Sequence, residues 1–368
     1  MPIYLDLHEM PDGVTAEHVA EMHQADLKVE HEFNCRGLTY WCDEKRQTAF
    51  CLIEAPNKQS LKNLHAKAHG DVPLRIIEVD GNIVESFLGR IEDPEKSQNT
   101  KLNIINDPAF RAIMLIETSN YLNRVEANQF SVFTQKFHRS VTKTIKQFEG
   151  RTVKQDNNSY LTSFKSVTNA VLCALKIQSN FKYITPKFDI PNRKLKIGIG
   201  CGVPVTEKSG IFEEALELTT RMCEIVKDQI VISNEIKSLY ESENRNSFIN
   251  KEHIRTLKPE EEKFLNTLMD YVEKIWNDSK FNVEDFSKSL GYSKSQVYRK
   301  LKSITGKSAN NFIREFRLHR ALSLLHKQKG NISEIAFETG FNSAAYFSKC
   351  FFNKYGLLPS KYIQQHII

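Results

Sequence analysis

The sequence predicts a multidomain protein with two α+β ferredoxin-like domains followed by an all-α double helix-turn-helix domain. Three observations lead to this prediction. The chain has 368 residues, which is too long for one ordinary core and suggests two or three domains. Strand-like and helix-like segments alternate through about the first 240 residues. The basic end of the chain has helical periodicity, and it repeats one helix, glycine, helix pattern.

The first domain is predicted to span residues 1–92. Its segments follow a β-α-β-β-α-β order and read PIYLDLHEM, TAEHVAEMHQADLKVEHEF, LTYWCDEKR, TAFCLIEAP, SLKNLHAKAHG and LRIIEVD. Their order predicts a ferredoxin-like sheet with two covering helices.

The same domain is rich in side chains that bind soft divalent metals. Imidazole together with thiolate suits nickel, zinc or copper. Two of the histidines are four residues apart on the second helix and would present two nitrogens on one face. Surface histidines are common, however, and a cysteine in a strand more often belongs to the core, so a purely structural role is the alternative. The candidate ligands are His8, His23, Cys51, His65 and His69.

Two segments of this domain carry a family resemblance. GVTAEHVAEMHQADL and AFCLIEAP…LHAKAHG resemble a small bacterial ferredoxin-like family that has nickel-binding members. The resemblance implies a metal sensor with nickel or zinc as its cofactor. Residues 93–108 are then predicted to be a linker, because the chain turns polar there and ends in Asp107-Pro108.

The middle domain is predicted to span residues 109–250. Its strands are AIMLIETSNYL, the hairpin VKQDNNSYLTSF, KLKIGIGCGVPV and QIVIS. Three helices lie between them, ANQFSVFTQKFHRSVTKTIKQFEG, SVTNAVLCALKIQSNF and GIFEEALELTTRMCEIVK. Strands and helices again alternate in a ferredoxin-like order.

Parts of this domain resemble the class III nucleotide cyclase homology domain over roughly residues 109–240. The resemblance rests on FEGRTVKQDNNSYLTSFKSVTNAVLCALKIQ and LKIGIGCGVPV. In active members, two aspartates hold the metal ions that polarise the triphosphate. Here those places hold Glu117 and Asn158, and a neutral amide cannot supply a second anionic ligand.

Three further positions bear on this resemblance. Glu217 replaces the family's transition-state asparagine, and Gly210 replaces its base-reading acid. Lys154 and Arg221 match the base-contacting lysine and the phosphate-contacting arginine, and they are the candidate cofactor-binding residues. The resemblance therefore implies a catalytically silent cyclase fold that dimerises or binds a small effector. The alternative is a nucleotide cyclase with an attached DNA-binding regulatory domain, which would need Asp156 or Glu117 to take over the role of Asn158.

The end of the chain is strongly basic. Residues 280–368 contain 15 Lys or Arg and 5 Asp or Glu, which gives a net charge of +10. The whole chain has a net charge of +6, so residues 1–279 together carry −4. Concentrated positive charge is typical of nucleic-acid binding, because phosphate contacts need cations. A solvated lysine-rich surface is the commoner explanation of a charge run alone, so the motifs must decide.

Two similar units occur within this basic part, which is predicted to be a domain at residues 260–368. FNVEDFSKSLGYSKSQVYRKLKSITGKSANNFI and NISEIAFETGFNSAAYFSKCFFNKYGLLPSKY each read as helix, glycine turn, helix. Between them, IREFRLHRALSLLH predicts an amphipathic helix that joins the units rigidly. In such units the second helix enters the major groove of DNA.

The second unit resembles the AraC-type transcription regulators. It has the I-A-x-x-x-G-F, Y-F-x-x-x-F and G-x-x-P-x-x-Y anchors of that family, and the resemblance covers roughly residues 262–366. A family arginine after the last tyrosine is replaced by Ile363, which puts one terminal phosphate contact in doubt. The resemblance implies two reading surfaces, the first made of Ser293, Lys294, Ser295, Gln296, Arg299 and Lys300, and the second of Asn342, Ser343, Ala344, Ala345, Tyr346 and Lys349.

The whole sequence thus predicts a cytoplasmic, AraC-type transcription factor that is not an enzyme. Its expected partners are double-stranded DNA, a second copy of the chain, a metal ion or small effector, and RNA polymerase if it is an activator. No apolar run approaches the roughly 20 residues that span a bilayer, and no secretory signal begins the chain, so no membrane partner is expected. The seven scattered cysteines contain no C-x-x-C pair, which argues against a disulfide framework or a zinc ribbon.

Overall fold

The computed structural model describes residues 1–94, 102–120, 127–156, 158–185, 193–245, 249 and 252–366. Its N-terminal unit is a four-stranded antiparallel sheet in the order β2-β3-β1-β4. The strands are β1 (Ile3–Glu9), β2 (Arg36–Asp43), β3 (Thr48–Glu54) and β4 (Arg75–Val79). The helices of this unit are α1 (Ala16–Val29), α2 (Lys58–Ala68) and α3 (Gly81–Leu88).

The two faces of this sheet have different neighbours. Strand alternation directs Tyr4 toward a core shared with α1 and α2, and it directs Leu5 and Leu7 to the opposite face. That opposite face packs on α3 and on the middle unit, where Ile113 and Phe212 belong to the same core. The first sheet is therefore covered on one side by its own helices and on the other by the next domain.

The middle unit is a six-stranded sheet in the order β10-β9-β8-β5-β7-β6. The pairs β8–β9 and β9–β10 are parallel, and the others are antiparallel. Its central strand order β8-β5-β7-β6 is equivalent to that of the first sheet. The strands are β5 (Arg111–Asn120), β6 (Arg151–Gln155), β7 (Ser159–Phe164), β8 (Arg193–Gly202), β9 (Ile230–Ile232) and β10 (Arg255–Thr256).

Helices cover both faces of the middle sheet. Its helices are α4 (Ala127–Gln147), α5 (Val167–Ile184), α6 (Glu213–Ile225) and α7 (Asn234–Glu243). Helices α4, α5 and α7 pack on one face around a large apolar core. Helix α6 packs on the other face against β8, where a Cβ atom at Gly198 would lie 2.5 Å from the carbonyl oxygen of Thr219. Glycine at this position therefore permits the close approach of α6.

Part of the segment predicted as a linker packs on the first domain. Tyr40 donates a hydrogen bond to the carbonyl of Asn103 (2.5 Å), and its hydroxyl accepts one from the N–H of Ile105 (2.7 Å). Ile105 is 6% exposed within the first core, and Arg90 forms an ion pair with Asp107. Residues 102–107 are therefore not a free tether, whereas residues 95–101 lie outside the described part of the chain.

The C-terminal unit is entirely helical in its described residues and has the predicted pair of helix-turn-helix units. The turns contain Gly291 (φ 74°) and Gly340 (φ 78°), a left-handed conformation that favours glycine. Its helices are α8 (Pro259–Ile275), α9 (Val283–Ser289), α10 (Lys294–Thr305), α11 (Ala309–His326), α12 (Ile332–Glu338), α13 (Ala344–Tyr355) and α14 (Pro359–His366).

Helix α11 joins the two helix-turn-helix units through their cores. Its first half contributes Phe312 and Ile313 to the core of the first unit, and its second half contributes Leu318, Ala321 and Leu325 to that of the second. This continuous helix fits the rigid connection that the sequence predicted.

The first helix-turn-helix unit also packs on the middle unit. Met222 at the end of α6 shares a core with Phe264 and Leu268 of α8. The guanidinium of Arg221 lies 2.5 Å from Asp270 Oδ1 and 2.9 Å from Asn266 Oδ1. Within the described residues, no helix combines the length and apolar content required to cross a bilayer.

Candidate metal centre and nucleic-acid interface

The structure brings four of the five predicted metal ligands together between the first sheet and α2. His8 comes from β1, Cys51 from β3, His65 from α2 and His69 from the C-terminal cap of α2. The ring centroids of His8 and His65 are 5.0 Å apart, and those of His65 and His69 are 5.1 Å apart. Residues that are 61 positions apart in the chain therefore converge on one buried cluster.

Buried carboxylates complete this cluster, and the sequence prediction did not include them. Two groups have ligand atoms that all lie within 4.8 Å of one another: Asp6, His8 and Cys51, and Asp26, His65 and His69. Asp6 Oδ2 accepts a hydrogen bond from His65 Nε2 (2.9 Å), and Asp6 Oδ1 accepts one from the N–H of Cys51 (2.9 Å). The i, i+2 spacing of Asp6 and His8 on one strand was the available signal.

His23 lies apart from both groups. It is 3% exposed, its ring centroid is 5.0 Å from that of Tyr40, and its Nε2 is 3.6 Å from Asp93 Oδ2. His23 nevertheless lines the same cleft as His8 and His69. The residue is therefore a neighbour of the cluster and not a member of it.

The carboxylates set the protonation of the cluster. Burial lowers the pKa of His65, but hydrogen bonds to Asp26 and Asp6 outweigh it and raise that pKa to about 9. Burial also opposes the charge of His8, but attraction by Asp6 raises the pKa of His8 far above its ordinary value. Burial raises the pKa of the Cys51 thiol to about 12. Both histidines are therefore protonated at neutral pH and neutralise the buried carboxylates, while Cys51 is a thiol.

A cleft of about 490 Å³ opens beside the cluster. His8, Cys51 and His69 line one side of it. The other side is apolar and comes from α1 and from the turn before it, with Met10, Val14, Val19 and Met22 among its residues.

The first predicted reading surface lies on α10, and several of its members have local partners. Ser293 accepts a hydrogen bond from the N–H of Gln296, and Gln296 Oε1 accepts one from the N–H of Ser293 (2.9 Å), so these two cap the helix. Lys294 forms an ion pair with Glu284 (3.0 Å). The ammonium of Lys300 lies 5.1 Å from the ring centroid of Tyr292.

Exposure separates the remaining members of this surface. Ser295 and Arg299 are exposed, and no ion pair of Arg299 is found within the described residues. Tyr298 is 54% exposed on the same helix and was not predicted. Tyr298 follows Val297, which belongs to the apolar stripe, and therefore lies off that stripe on the exposed side of the helix. This position could have identified it from the sequence.

The second predicted reading surface lies on α13 and the turn before it. Ser343 caps this helix by accepting a hydrogen bond from the N–H of Tyr346 (3.3 Å). Tyr346 is 50% exposed, whereas Phe347 is fully buried in the core of the second unit. Asn342, Ala345 and Lys349 are also exposed, and Ala344 is half-buried.

Arg317 fixes the relative positions of the two units. Its guanidinium donates to the carbonyls of Trp276 (2.6 Å) and Asp278 (2.6 Å) in the first unit and of Gly340 (2.9 Å) in the second. The sequence prediction missed this residue, because only the tertiary structure shows which carbonyls it reaches.

In the middle domain, the positions compared with cyclases have other local partners. Burial raises the pKa of the Glu117 carboxyl, and the carbonyl of Asn158 accepts a hydrogen bond from the N–H of Thr118 (2.8 Å). Glu217 pairs with Lys208 (2.7 Å). The two candidate cofactor contacts lie on different elements. Lys154 lies on β6, and its Nζ atom is 3.5 Å from Asp156 Oδ2. Arg221 lies on α6 and forms an ion pair with Asp270.

Two family models match the ends of the chain. Residues 286–365 match a model described as a helix-turn-helix domain, and residues 4–79 match one described as nickel responsive protein SCO4226-like. The C-terminal domain is thus a helix-turn-helix domain. More particularly, it is similar to the AraC-type regulators, and the N-terminal domain is similar to the SCO4226-like family. The two terminal resemblances are confirmed, and the cyclase resemblance of the middle domain stays a prediction.

Curated relatives match only part of this chain. Histidine kinase P4 of Formosa agariphila is 38% identical over 133 residues, which are 34% of this chain and 10% of the relative. The Msm operon regulatory protein of Streptococcus mutans is 36% identical over 84 residues, 23% of this chain and 30% of the relative. The activator RhaS of Mannheimia succiniciproducens is 34% identical over 76 residues, which are 21% of this chain and 28% of the relative. The chain thus spans less than a third of the length of each.

Two solved structures are similar to the terminal domains. The C-terminal domain of the response regulator AraT of Geobacillus stearothermophilus is 26% identical, with a TM-score of 0.28, and the match covers 30% of this chain and 89% of that one. SCO4226 of Streptomyces coelicolor is 32% identical, with a TM-score of 0.20, and the match covers 21% of this chain and 94% of that one.

Proposed function

We propose that the protein is a sequence-specific DNA-binding transcriptional regulator whose N-terminal domain senses a divalent metal ion. The observation that carries this proposal is the pair of helix-turn-helix units held in one orientation by α11 and Arg317. Each unit exposes one face of its second helix, which is the helix that enters a major groove in such units. A cytoplasmic location and a non-enzymatic role belong to the same proposal.

The two reading helices contact DNA in different ways. Arg299 on α10 is exposed and suits a bidentate contact to guanine. Ala344 and Ala345 on α13 are small, so this helix reads shape and thymine methyl groups more than donor patterns. Ser293 and Ser343 cap the N-terminal ends of α10 and α13, the ends that would face the bases, and their hydroxyls would then be available to phosphates.

The N-terminal cluster fits nickel or zinc by its donor chemistry. Imidazole and thiolate are the ligands that these ions prefer, and His8 Nε2 is buried without a hydrogen bond. His8, Cys51, His65 and His69 would hold the ion. Both ring nitrogens of His65 contact carboxylates, Nδ1 that of Asp26 and Nε2 that of Asp6, so one of these hydrogen bonds would give way to the ion and the other would orient the imidazole. A bound ion would supply a coordinate link between β1, β3 and α2. The histidines would release their protons and Cys51 its thiol proton on binding.

The middle domain serves as a connection and has no catalytic role in this proposal. Both α/β units are ferredoxin-like, which is supported by their equivalent strand orders. Lys154 and Arg221 remain candidate contacts for a small effector, although Arg221 is already bound to the C-terminal unit. A second copy of the chain and, for an activator, RNA polymerase are the further proposed partners.

Genome-wide mapping of bound DNA, followed by binding assays on the recovered sites, tests this function. We expect the purified full chain to protect sites of close to two helical turns, and nickel or zinc to change the affinity. An Arg299→Ala variant should lose affinity for these sites, whereas the matched variant Lys329→Ala, in the same domain but off both reading helices, should not. Absence of sequence-specific protection would contradict DNA regulation, and a metal-independent affinity would contradict metal sensing.

A further inference from the structure

The cleft beside the histidine cluster is larger than a metal ion requires. Its volume is about 490 Å³. A water molecule in the liquid takes about 30 Å³, so an octahedrally hydrated ion would fill less than half of the cleft. Clefts of roughly 300 to 1,000 Å³ are those that bind small organic molecules.

The walls of the cleft have two chemistries. His8, Cys51 and His69 supply metal donors on one side. Met10, Val14 and Met22 supply an apolar surface on the other. A hydrated ion gains nothing from an apolar wall, whereas the carbon skeleton of an organic ligand is stabilised there by removal from water. The combination therefore suits a ligand with both a coordinating part and a carbon skeleton.

A buried nitrogen atom in this cleft makes no hydrogen bond within the protein. His8 is 5% exposed, and its Nε2 makes no hydrogen bond, the nearest carboxylate oxygen being Asp6 Oδ1 at 3.6 Å. Leaving a buried polar atom without a hydrogen bond is destabilising, so a ligand that supplies the missing partner is favoured at this atom.

Charge restricts which organic ligand fits. Glu9, Asp26 and Asp71 line the cleft together with the histidines, and once a bound ion has displaced the histidine protons, imidazolium no longer neutralises these carboxylates. A chelator that leaves the complex anionic, such as citrate, would be repelled by these carboxylates. An amino-acid chelator with nitrogen and oxygen donors leaves the complex cationic and would be attracted.

We infer that the cleft takes a divalent metal together with a small amino-acid-type chelator, whose carbon skeleton lies against Met10, Val14 and Met22. The sensor then responds to a metal complex and not to the hydrated ion. This inference rests on the proposed metal-sensing function, and it names the ligand of that site.

Equilibrium dialysis of the full chain tests the inference. The probes are nickel alone, labelled histidine alone, nickel with equimolar labelled histidine, and nickel with equimolar citrate. We expect histidine to be retained together with nickel, about tenfold more than without nickel, and citrate not to be retained. Val14→Trp, which fills the apolar side, should lose histidine retention about tenfold while nickel retention changes little. Ile83→Trp is the matched control, because Ile83 is 46% exposed on α3, outside the cleft, and it should change neither.

The outcomes distinguish a failure of the chelate inference from a failure of the proposed metal-sensing function. Retention of nickel without histidine, or equal retention of citrate and histidine, overturns the chelate and leaves the metal sensor intact. Absence of nickel retention with every probe refutes the metal sensor itself. Met22→Phe is a second variant that narrows the cleft from α1, so a folding failure of Val14→Trp does not decide the result.

Discussion

The two ends of this chain differ in whether their polar and charged side chains are buried or exposed. The N-terminal cluster buries its carboxylates and imidazoles, with Asp6 and His65 both fully inaccessible to solvent. The C-terminal reading helices keep their polar side chains in solvent and bury only an apolar stripe. A buried polar site is therefore part of the stability of its own domain, whereas an exposed reading face can change without affecting the fold. This difference predicts which substitutions alter stability and which alter only binding.

The sharpest test of the buried side of the comparison is Asp6→Ala. This change leaves His65 and His8 without their shared carboxylate, and breaking a buried ion pair from one side costs about 3 to 5 kcal/mol. We expect the free energy of unfolding of the metal-free protein to fall by about that amount, measured by denaturant titration. Asp12→Ala, at an exposed turn of the same domain, is the matched control and should change it little. Equal effects of the two changes would show that the cluster is not a structural element.

Arg317→Ala tests whether the exposed reading faces depend on any buried polar contact. It removes three hydrogen bonds to carbonyls, and a hydrogen bond that involves a charged group has a net contribution of about 1.5 to 3 kcal/mol, although three bonds from one side chain are not additive. We expect a stability loss of about 2 to 3 kcal/mol in the C-terminal domain and shorter protection on DNA. Fluorescence of Trp276 in a Trp41→Phe background reports on that domain alone, since the chain has two tryptophans. The neighbouring Arg314→Ala serves as a comparison, and an identical result for both would argue against a joining role for Arg317.

Arg299→Ala probes the opposite behaviour. Loss of a bidentate guanine contact costs about 1 to 3 kcal/mol of binding and relaxes specificity in one half of the site. The free energy of unfolding should remain unchanged, because Arg299 is exposed. Footprinting on wild-type and half-site-mutated DNA measures this effect. Equal losses in both halves of the site would mean that Arg299 contacts a phosphate and not a base.

Lys196 is a half-buried charge, intermediate between the buried cluster and the exposed reading faces. Burial lowers the pKa of Lys196 to about 8 from 10.5, and its ammonium donates to the carbonyls of Val226 and Asp228. Above about pH 8 the folded state releases a proton that the unfolded state retains, so stability should rise with pH between about 8 and 10.5 and be constant below. Denaturant titrations across this range measure the slope, and Lys196→Met should remove it. A slope that persists in the variant would assign the titration to another group.

The same contrast explains what the sequence could predict. The helix-turn-helix units were confirmed because caps, turn glycines and an apolar stripe are local signals that lie within a few residues of one another. The pairing of His65 with His69 also follows from helical spacing. Asp6 and Asp26 were missed because a carboxylate becomes a partner of His65 only when β1, α1 and α2 pack together. Roles at these sites, including those of His8 and Cys51, stay predictions until they are measured.

Short helices between the predicted elements show a second limit of prediction from sequence. Helix α3 was not predicted, although Asp80 caps it by accepting hydrogen bonds from the N–H groups of Asn82 and Ile83. It has only eight residues, too few for periodicity to distinguish it from a polar connection. Its apolar side is buried only by packing on the middle domain, where the ring centroids of Phe87 and Phe212 are 5.0 Å apart.

Helix α6 has neighbours at both of its ends. Phe212 and Ala215 at its start belong to the core shared with the N-terminal domain, and Arg221 and Met222 at its end contact the first helix-turn-helix unit. Its 13 residues span about 20 Å. One helix of this length therefore contacts both the N-terminal domain and the first helix-turn-helix unit. A change in the tilt of this helix would alter its contacts with both domains at once.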